Sequence, residues 1–123
     1  MILVDTSIWI DHLAHGDEQL QTLLNDDMVL THPYVIGEIA MGSLQKRTET
    51  IQTLDALRGV AVASPAEVMA LMNFEHLFGS GIGYVDLHLL AATRLEPSTL
   101  LWTRDKRLER VANRLNLAAF APH

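Results

Sequence analysis

Short apolar runs alternate along the chain with longer segments of helical periodicity, and this alternation limits the fold more than any other feature. The runs Ile2–Val4 and Leu100–Trp102 have the length and composition of buried strands. Between them, apolar residues recur every three or four positions, as on one face of a helix. Strands and helices in this order form parallel sheets with right-handed crossovers. The sequence therefore predicts an α/β fold, a three-layer α/β/α sandwich around a central parallel sheet of four or five strands.

The remaining elements are predicted from turn and capping signals. Further strands are predicted at 28–30, at 60–62 and, as an edge strand, at 118–120. Pro33 opens a helix predicted to reach about residue 44. Ser64-Pro65-Ala66-Glu67 has the pattern of a capping box and opens a helix predicted to end near residue 78. The last long helix is predicted over 106–115.

Composition limits the class of protein. The 123 residues, 49% of them hydrophobic, suffice for one domain with one core, predicted over 1–123. No apolar run approaches the ~18 residues that a membrane span needs, so no membrane association is expected. Without cysteine there is neither a disulfide framework nor a thiolate metal site. The amino terminus lacks the basic region of a signal peptide, and we expect a cytoplasmic protein.

The net charge of −6 argues at first against a protein that binds nucleic acid, because phosphate contacts need lysine and arginine. The distribution of charge weakens that objection. Five of the nine basic residues lie between Arg104 and Arg114. An acidic total is also expected where several carboxylates gather to hold a cation.

Four acidic residues occupy positions from which they can converge. Asp5 follows the first strand directly, and Asp105 follows the strand at 100–102 after only two residues. Asp86 begins a helix after a glycine-rich turn, and Glu38 lies inside an otherwise apolar helix. Ligands of open α/β sheets bind beyond the carboxyl ends of the strands, where Asp5 and Asp105 would meet. Taken singly, each aspartate is also compatible with a helix N-cap, and Glu38 with a solvated helix face.

Converging carboxylates repel one another, and a divalent cation relieves that repulsion. Oxygen donors without cysteine favour Mg²⁺ or Mn²⁺ over Zn²⁺. Such a cation activates water and holds a phosphodiester for in-line attack. The four acids together therefore indicate phosphodiester hydrolysis.

Four segments resemble, in order and spacing, the acidic motifs of PIN-domain proteins, in particular the VapC toxins. The first reads Val-Asp-Thr-Ser-Ile-Trp-Ile and the third Val-Asp-Leu-His-Leu-Leu-Ala-Ala. The segments are 4–10, 35–42, 85–92 and 101–108, and they carry Asp5, Glu38, Asp86 and Asp105.

The resemblance implies a Mg²⁺-dependent endoribonuclease, with Mn²⁺ as a substitute, that cleaves single-stranded or loop RNA such as tRNA or rRNA. It also implies the toxin of a type II toxin–antitoxin pair, a homodimer that a cognate antitoxin inhibits. Asp5 and Asp86 would be metal ligands. Glu38 would complete the site directly or through water, and Asp105 would help to hold a metal. Ser7 and Thr103 match polar positions near the site.

Features outside the motifs concern substrate and partner. Arg107, Arg110 and Arg114 repeat at helical spacing. They form either a solvated helix face or an edge that contacts RNA phosphates. Lys46 and Arg47 could extend such an edge. A helix of the antitoxin is expected on apolar helix faces near residues 9 and 54.

The aromatic content is low, at 6%, and Trp9 and Trp102 lie in apolar contexts. RNA recognition through shape and base edges is therefore predicted rather than base stacking. Tyr84 and His88, which flank Asp86, depart from the smaller or apolar residues expected there, and this departure concerns substrate preference.

Two other classes of function fit part of the pattern. A non-catalytic binding module with a PIN-like fold would not require the acids that are present. A phosphate-accepting receiver domain would need a second acid beside Asp5 and an aspartate after the strand at 60–62, and neither is found.

Overall fold

A parallel sheet of three strands lies at the centre of the protein. The computed structural model describes residues 1–120. The sheet has the order β2-β1-β3, with β1 pairing in parallel with both neighbours. The strands are β1 (Ile2–Val4), β2 (Val29–Leu30) and β3 (Leu100–Trp102).

Helices fill the connections between the strands. The predicted capping box at Ser64 is present, because its hydroxyl accepts from the Glu67 N–H at 3.1 Å and its N–H donates to the Glu67 carboxylate at 2.9 Å. The helix that it opens ends at residue 74 rather than near 78, and the helix that begins at Pro33 ends at residue 40 rather than near 44. The helices are α1 (Thr6–His15), α2 (Glu18–Asn25), α3 (Pro33–Ala40), α4 (Arg47–Ala56), α5 (Pro65–Phe74), α6 (Tyr84–Leu95) and α7 (Lys106–Arg114).

The prediction of a strand at 60–62 is wrong. Within residues 1–120, this part of the chain pairs with the end of β2 only through one bridge, between Thr31 and Gly59. Thr31 donates its N–H to the carbonyl of Arg58 and accepts from the N–H of Val60, both at 2.9 Å, which pairs it with Gly59. The ladder ends there because Pro33, which has no N–H, already begins α3.

The predicted edge strand at 118–120 is likewise reduced to one bridge, between Leu101 and Ala118. Leu101 donates to the Leu117 carbonyl at 2.7 Å and accepts from the Ala119 N–H at 2.9 Å. Beyond this bridge, the ring of Phe120 packs edge to face on Trp102 instead of extending the ladder. Within residues 1–120 the sheet therefore has three strands and not four or five, whereas the α/β class and the parallel pairing are confirmed.

Because the three strands are parallel, their carboxyl ends lie at the same edge of the sheet. Residues Leu3, Leu30 and Leu101 are fully buried at the centre of the sheet, where helix residues pack on them. The chain crosses from β1 to β2 and then returns, past β1, from β2 to β3. If both crossovers are right-handed, as is usual for parallel strands, their helices cover opposite faces of the sheet, as the three-layer prediction requires. Within residues 1–120, no helix combines the length and apolarity needed to cross a membrane.

Candidate active site

Asp5, directly after β1, is buried and is held by two hydroxyl groups. It occupies the N-cap position of α1, but its side chain makes no capping bond. Instead, its Oδ2 accepts from Thr103 Oγ1 at 2.6 Å and from Ser7 Oγ at 2.8 Å. The alternative of a simple N-cap therefore does not describe Asp5. Within residues 1–120 its other oxygen, Oδ1, accepts no hydrogen bond.

Backbone contacts orient the two hydroxyls. Ser7 Oγ accepts from the N–H of Arg104, and Thr103 Oγ1 accepts from the N–H of Asp105, each at 3.0 Å. Because each hydroxyl accepts a backbone proton, it can direct its own proton to Asp5. The turn after β3 thus fixes the carboxylate that follows β1.

Asp86 lies half-buried in the first turn of α6, where its Oδ2 accepts from the Gly83 N–H at 3.1 Å. Burial raises the pKa of Asp86 above its ordinary value, and the charges of Asp5, Asp105 and Glu38 raise it further. The bond from Gly83 opposes that rise. Three of the acids predicted from the sequence, Asp5, Glu38 and Asp105, therefore act electrostatically on the fourth, Asp86.

Glu38 and Asp105 are more exposed than Asp5 and Asp86. Glu38 Oε1 accepts from Thr6 Oγ1 at 2.8 Å, so a hydroxyl at the start of α1 holds a carboxylate on α3. Asp105 caps α7, because its Oδ1 accepts from the N–H groups of Arg107 and Leu108 at 2.9 and 3.1 Å. The N-cap alternative is thus correct for the local role of Asp105, while its charge still reaches Asp86.

The donor chemistry of this cluster fits a hard divalent cation. Within residues 1–120, none of the four carboxylates forms a salt bridge. Nor do three or more of the described acids and histidines lie close enough together to ligate one ion. Mg²⁺ keeps several waters and usually takes only one or two protein carboxylates, which suits this open arrangement. Asp5 and Asp86 could serve as direct ligands, and Glu38 and Asp105 through water.

Arg104, in the basic segment noted from the sequence, is engaged within the protein. Its guanidinium donates to Asp11 Oδ2 at 2.6 Å and to Asp17, and it lies 5.8 Å from the ring centroid of Trp102. A hydrogen bond from the Leu20 N–H lowers the pKa of Asp17, and Arg104 lowers it further. Arg104 therefore joins β3 to α1 and α2.

The arginines of α7 differ in their surroundings. Arg107 lies against the turn before α6, where a Cβ added to Gly81 would come within 3.0 Å of its Cδ. Arg114 donates to the carbonyl of Glu75 at 2.8 Å. Among the described residues, Arg107 and Arg110 have no carboxylate partner and are exposed.

Aromatic and histidine rings form a group beside the carboxylates. The buried residues His32 and His88 both contact Tyr34, at centroid distances of 4.9 Å, and Tyr84 contacts His88 at 4.8 Å. Burial lowers the pKa of His32 to about 4, and the neighbouring His88 adds to this effect. Tyr34 was not predicted as a site residue from the sequence, although its position four residues before Glu38 places both on one face of a helix.

Comparisons with known proteins identify the family to which the chain belongs. The family model for the PIN domain matches residues 2–114. Ribonuclease VapC32 of Mycobacterium tuberculosis, matched in two strains, is 45% identical over 109 residues, which cover 89% of this chain and 88% of the relative. A chain in the solved structure of FitAB bound to an IR36 DNA fragment superposes with a TM-score of 0.65. At 18% identity, covering 100% of this chain and 99% of the other, that match establishes the fold alone. The chain therefore belongs to the PIN-domain family and, within it, to the VapC type.

Proposed function

We propose that this protein is a Mg²⁺-dependent endoribonuclease and the toxin of a type II toxin–antitoxin pair. The observation that carries the proposal is the cluster of Asp5, Glu38, Asp86 and Asp105, which has no cationic partner among residues 1–120. Burial, followed by the charges of the other three acids, raises the pKa of Asp86 in this cluster. The 45% identity to a protein named as a ribonuclease supports the same reaction. Membership of the PIN-domain family sets the receiver-domain alternative aside.

The four carboxylates would divide the work of holding the cation. Asp5 and Asp86 would bind Mg²⁺, or Mn²⁺ in its place, and Glu38 and Asp105 would hold its water ligands. The bound cation would supply an activated water and charge stabilisation at the phosphodiester.

The hydroxyl groups would keep these carboxylates in place. Ser7 and Thr103 hold Asp5 through Oδ2, which leaves Oδ1 without a hydrogen bond among residues 1–120 and able to bind a cation. Thr6 holds Glu38 in the same manner. Residues on α1 and in the turn after β3 thereby orient the acids before any ligand binds, a form of preorganisation.

The substrate would be single-stranded or loop RNA, of the tRNA or rRNA class. A pocket of carboxylates repels phosphate, so cations outside it must attract the substrate. Arg107 and Arg110 are suited to this role, because they are exposed and lie on the helix that Asp105 caps. Arg114 is less suited, since its guanidinium is already bonded to Glu75.

A cognate antitoxin would inhibit the nuclease. A groove of about 500 Å³ lies between α1, α2 and α4, where a helix of the antitoxin was predicted near Trp9 and Leu54. Both residues line this groove but are almost fully buried, so the contact would fall mainly on its rim, which includes the exposed Leu13 and the partly exposed Leu24. A basic residue of the antitoxin would reach Asp5 and Glu38 and compete with Mg²⁺. A single domain, a homodimer and a cytoplasmic location are further parts of this proposal.

Cleavage in the presence and absence of divalent cations tests the proposed function. Purified chain incubated with total RNA should cleave in Mg²⁺ or Mn²⁺ and stop in excess EDTA. Ca²⁺ should not restore cleavage, because its larger and looser coordination shell suits in-line attack poorly. Sequencing of the new RNA ends would identify the target.

A matched pair of variants controls for contaminating nuclease. Asp5→Asn should lose cleavage, and Asp11→Asn, an acid outside the cluster, should keep it. Full activity in chelator, or equal activity of the two variants, contradicts the metal mechanism. RNA binding without any cleavage would favour the non-catalytic module instead.

A further inference from the structure

Two partly exposed tyrosines lie against one buried histidine beside the carboxylate cluster. Tyr84 is 54% exposed and Tyr34 is 38% exposed. The ring of each packs edge to face with His88, at centroid distances of 4.8 and 4.9 Å. Because both contact the same imidazole, the two rings, one from α3 and one from α6, form one aromatic surface.

The buried histidines restrain this surface. His88 is only 3% exposed, and His32, which is fully buried, also contacts Tyr34, at a centroid distance of 4.9 Å. Within residues 1–120, His88 is the one aromatic neighbour of Tyr84, and more than half of Tyr84 stays exposed to solvent. An aromatic ring restrained in this way loses little conformational entropy when a ligand stacks on it.

The position of Tyr84 links it to the proposed chemistry. It is the first residue of α6 and precedes Asp86 by two positions, and Tyr34 precedes Glu38 by one helical turn. Arg107 of α7 lies against Gly81, in the turn that leads into Tyr84. A cation and two of the acids thus lie on, or against, the segments that carry the two tyrosines.

We propose that Tyr84 stacks on a nucleobase of single-stranded RNA next to the cleaved phosphodiester, with Tyr34 as a second, smaller contact. This inference rests on the proposed function. It also revises the prediction against base stacking, which was based on the low aromatic content and on the apolar contexts of the two tryptophans. A nucleotide brings both groups that this surface can use, a π-face for the ring and a phosphate for Arg107. A purely apolar peptide would instead have to cover carboxylates that have no cationic partner among the described residues, which is costly.

The surface differs from the other exposed aromatic positions of the chain. Phe74 and Phe78 are 78% and 62% exposed, but they lie at and beyond the end of α5, outside the four acidic segments of the sequence. Phe78 is therefore a matched control, with an exposed ring of similar size that has no proposed contact with RNA.

Binding of a short, fluorescein-labelled single-stranded oligoribonucleotide of mixed sequence, measured by anisotropy in Ca²⁺, tests the proposal. Tyr84→Ala should weaken binding about 5- to 100-fold, the loss expected when one stacked base loses its aromatic partner. Tyr84→Phe should bind like the unmodified chain, which also excludes misfolding as the cause. Tyr84→Leu should bind poorly, and Phe78→Ala should bind normally. In Mg²⁺, KM of Tyr84→Ala should rise by the same factor while kcat at saturation changes little.

Removal of one base at a time from the oligonucleotide locates the contact. One abasic position should weaken binding to the unmodified chain but have no further effect on Tyr84→Ala, as in a double-mutant cycle. Abasic effects that are equal in the two proteins, or normal binding by Tyr84→Ala, overturn the stacking role. If Tyr84→Ala binds normally and cleavage is intact, the stacking role is wrong but the proposed function is unaffected. A chain that neither binds nor cleaves RNA overturns both.

Discussion

Two groups of carboxylates differ in what balances their charge. Asp11 and Asp17 share the guanidinium of Arg104, which follows β3. Asp5 and Asp86, by contrast, are bonded only to hydroxyls and a backbone N–H within residues 1–120. The first group has an internal cation and joins helices, whereas the second lacks one and is suited to binding an external cation.

The pKa values express the same difference. The pKa of Asp17 is lowered, first by the Leu20 N–H and then by Arg104. That of Asp86 is raised, first by burial and then by three like charges. Perturbation caused by uncompensated burial and repulsion is the pattern typical of functional sites, whereas stabilisation by a fixed partner is typical of structural pairs.

The largest expected effect comes from replacing one acid of each group. Asp86→Asn should lower kcat by more than about 100-fold, because even indirect partners of a metal ligand contribute about 10- to 100-fold. Asp17→Asn should leave kcat nearly unchanged, since asparagine still caps a helix. Steady-state cleavage of the target RNA measures both. A fall in kcat of similar size in the two variants would contradict the division into two groups.

The comparison extends to the arginines, since Arg104 is paired with acids and Arg107 and Arg110 are not. Reversing both Arg107 and Arg110 to glutamate should raise KM about 10-fold and flatten the slope of log KM against log salt by about 1.4, as each single-strand phosphate contact contributes about 0.7. The value of kcat at saturation should change much less, because the four acids are untouched.

The paired change of Lys46 and Arg47 to glutamate is the control for this experiment, because it alters the charge equally. If it alone raises KM, the arginines of α7 are a solvated face and the RNA path runs past Lys46.

A smaller effect is expected from removing the internal cation. Arg104→Met should lower the free energy of unfolding by about 1 kcal/mol, because this ion pair is partly exposed and screened by water. High salt should reduce that difference. Urea denaturation at two salt concentrations measures it. A variant as stable as the unmodified chain at low salt would remove the structural role from Arg104.

The smallest effect concerns pH, where the two groups should act with opposite sign in EDTA. The pKa of Asp86 is raised in the folded protein. Its contribution to the free energy of unfolding is therefore fully present below the ordinary value of 3.8 and is lost as the pH rises through the folded pKa. The pKa of Asp17 is lowered in the folded protein. Its contribution to the free energy of unfolding is fully present above 3.8 and is lost as the pH falls through the folded pKa. Between about pH 4 and neutrality, Asp86→Asn should therefore gain stability relative to the unmodified chain, and Asp17→Asn should not. Urea denaturation across this range gives the sign, and parallel curves for the two variants would refute the assignment.

Much of the fold was predictable because its signals are local. The capping box at Ser64 and the apolar run at Ile2–Val4 each specify an element through neighbours in the sequence. The number of strands was not predictable, because pairing at 60–62 depends on the residues that come directly after β2. Pro33 ends the ladder after Thr31, and that consequence appears only once the two segments lie side by side.

The candidate site shows the same division. Asp5 and Asp105 were placed together by the rule for carboxyl ends of strands. The hydrogen bond from Thr6 to Glu38 and the contact of Tyr34 with His88 join residues far apart in the chain. No periodicity in one sequence marks such pairs, since each depends on how α3 packs between α1 and α6.

Cation binding by the two groups of carboxylates tests the central claim most directly. Isothermal titration of the metal-free chain with Mn²⁺ should give binding that Asp86→Asn weakens by at least about 10-fold and that Asp17→Asn leaves unchanged. Equal binding by the unmodified chain and Asp86→Asn, or loss only in Asp17→Asn, would contradict the assignment of the catalytic cation to Asp5, Glu38, Asp86 and Asp105.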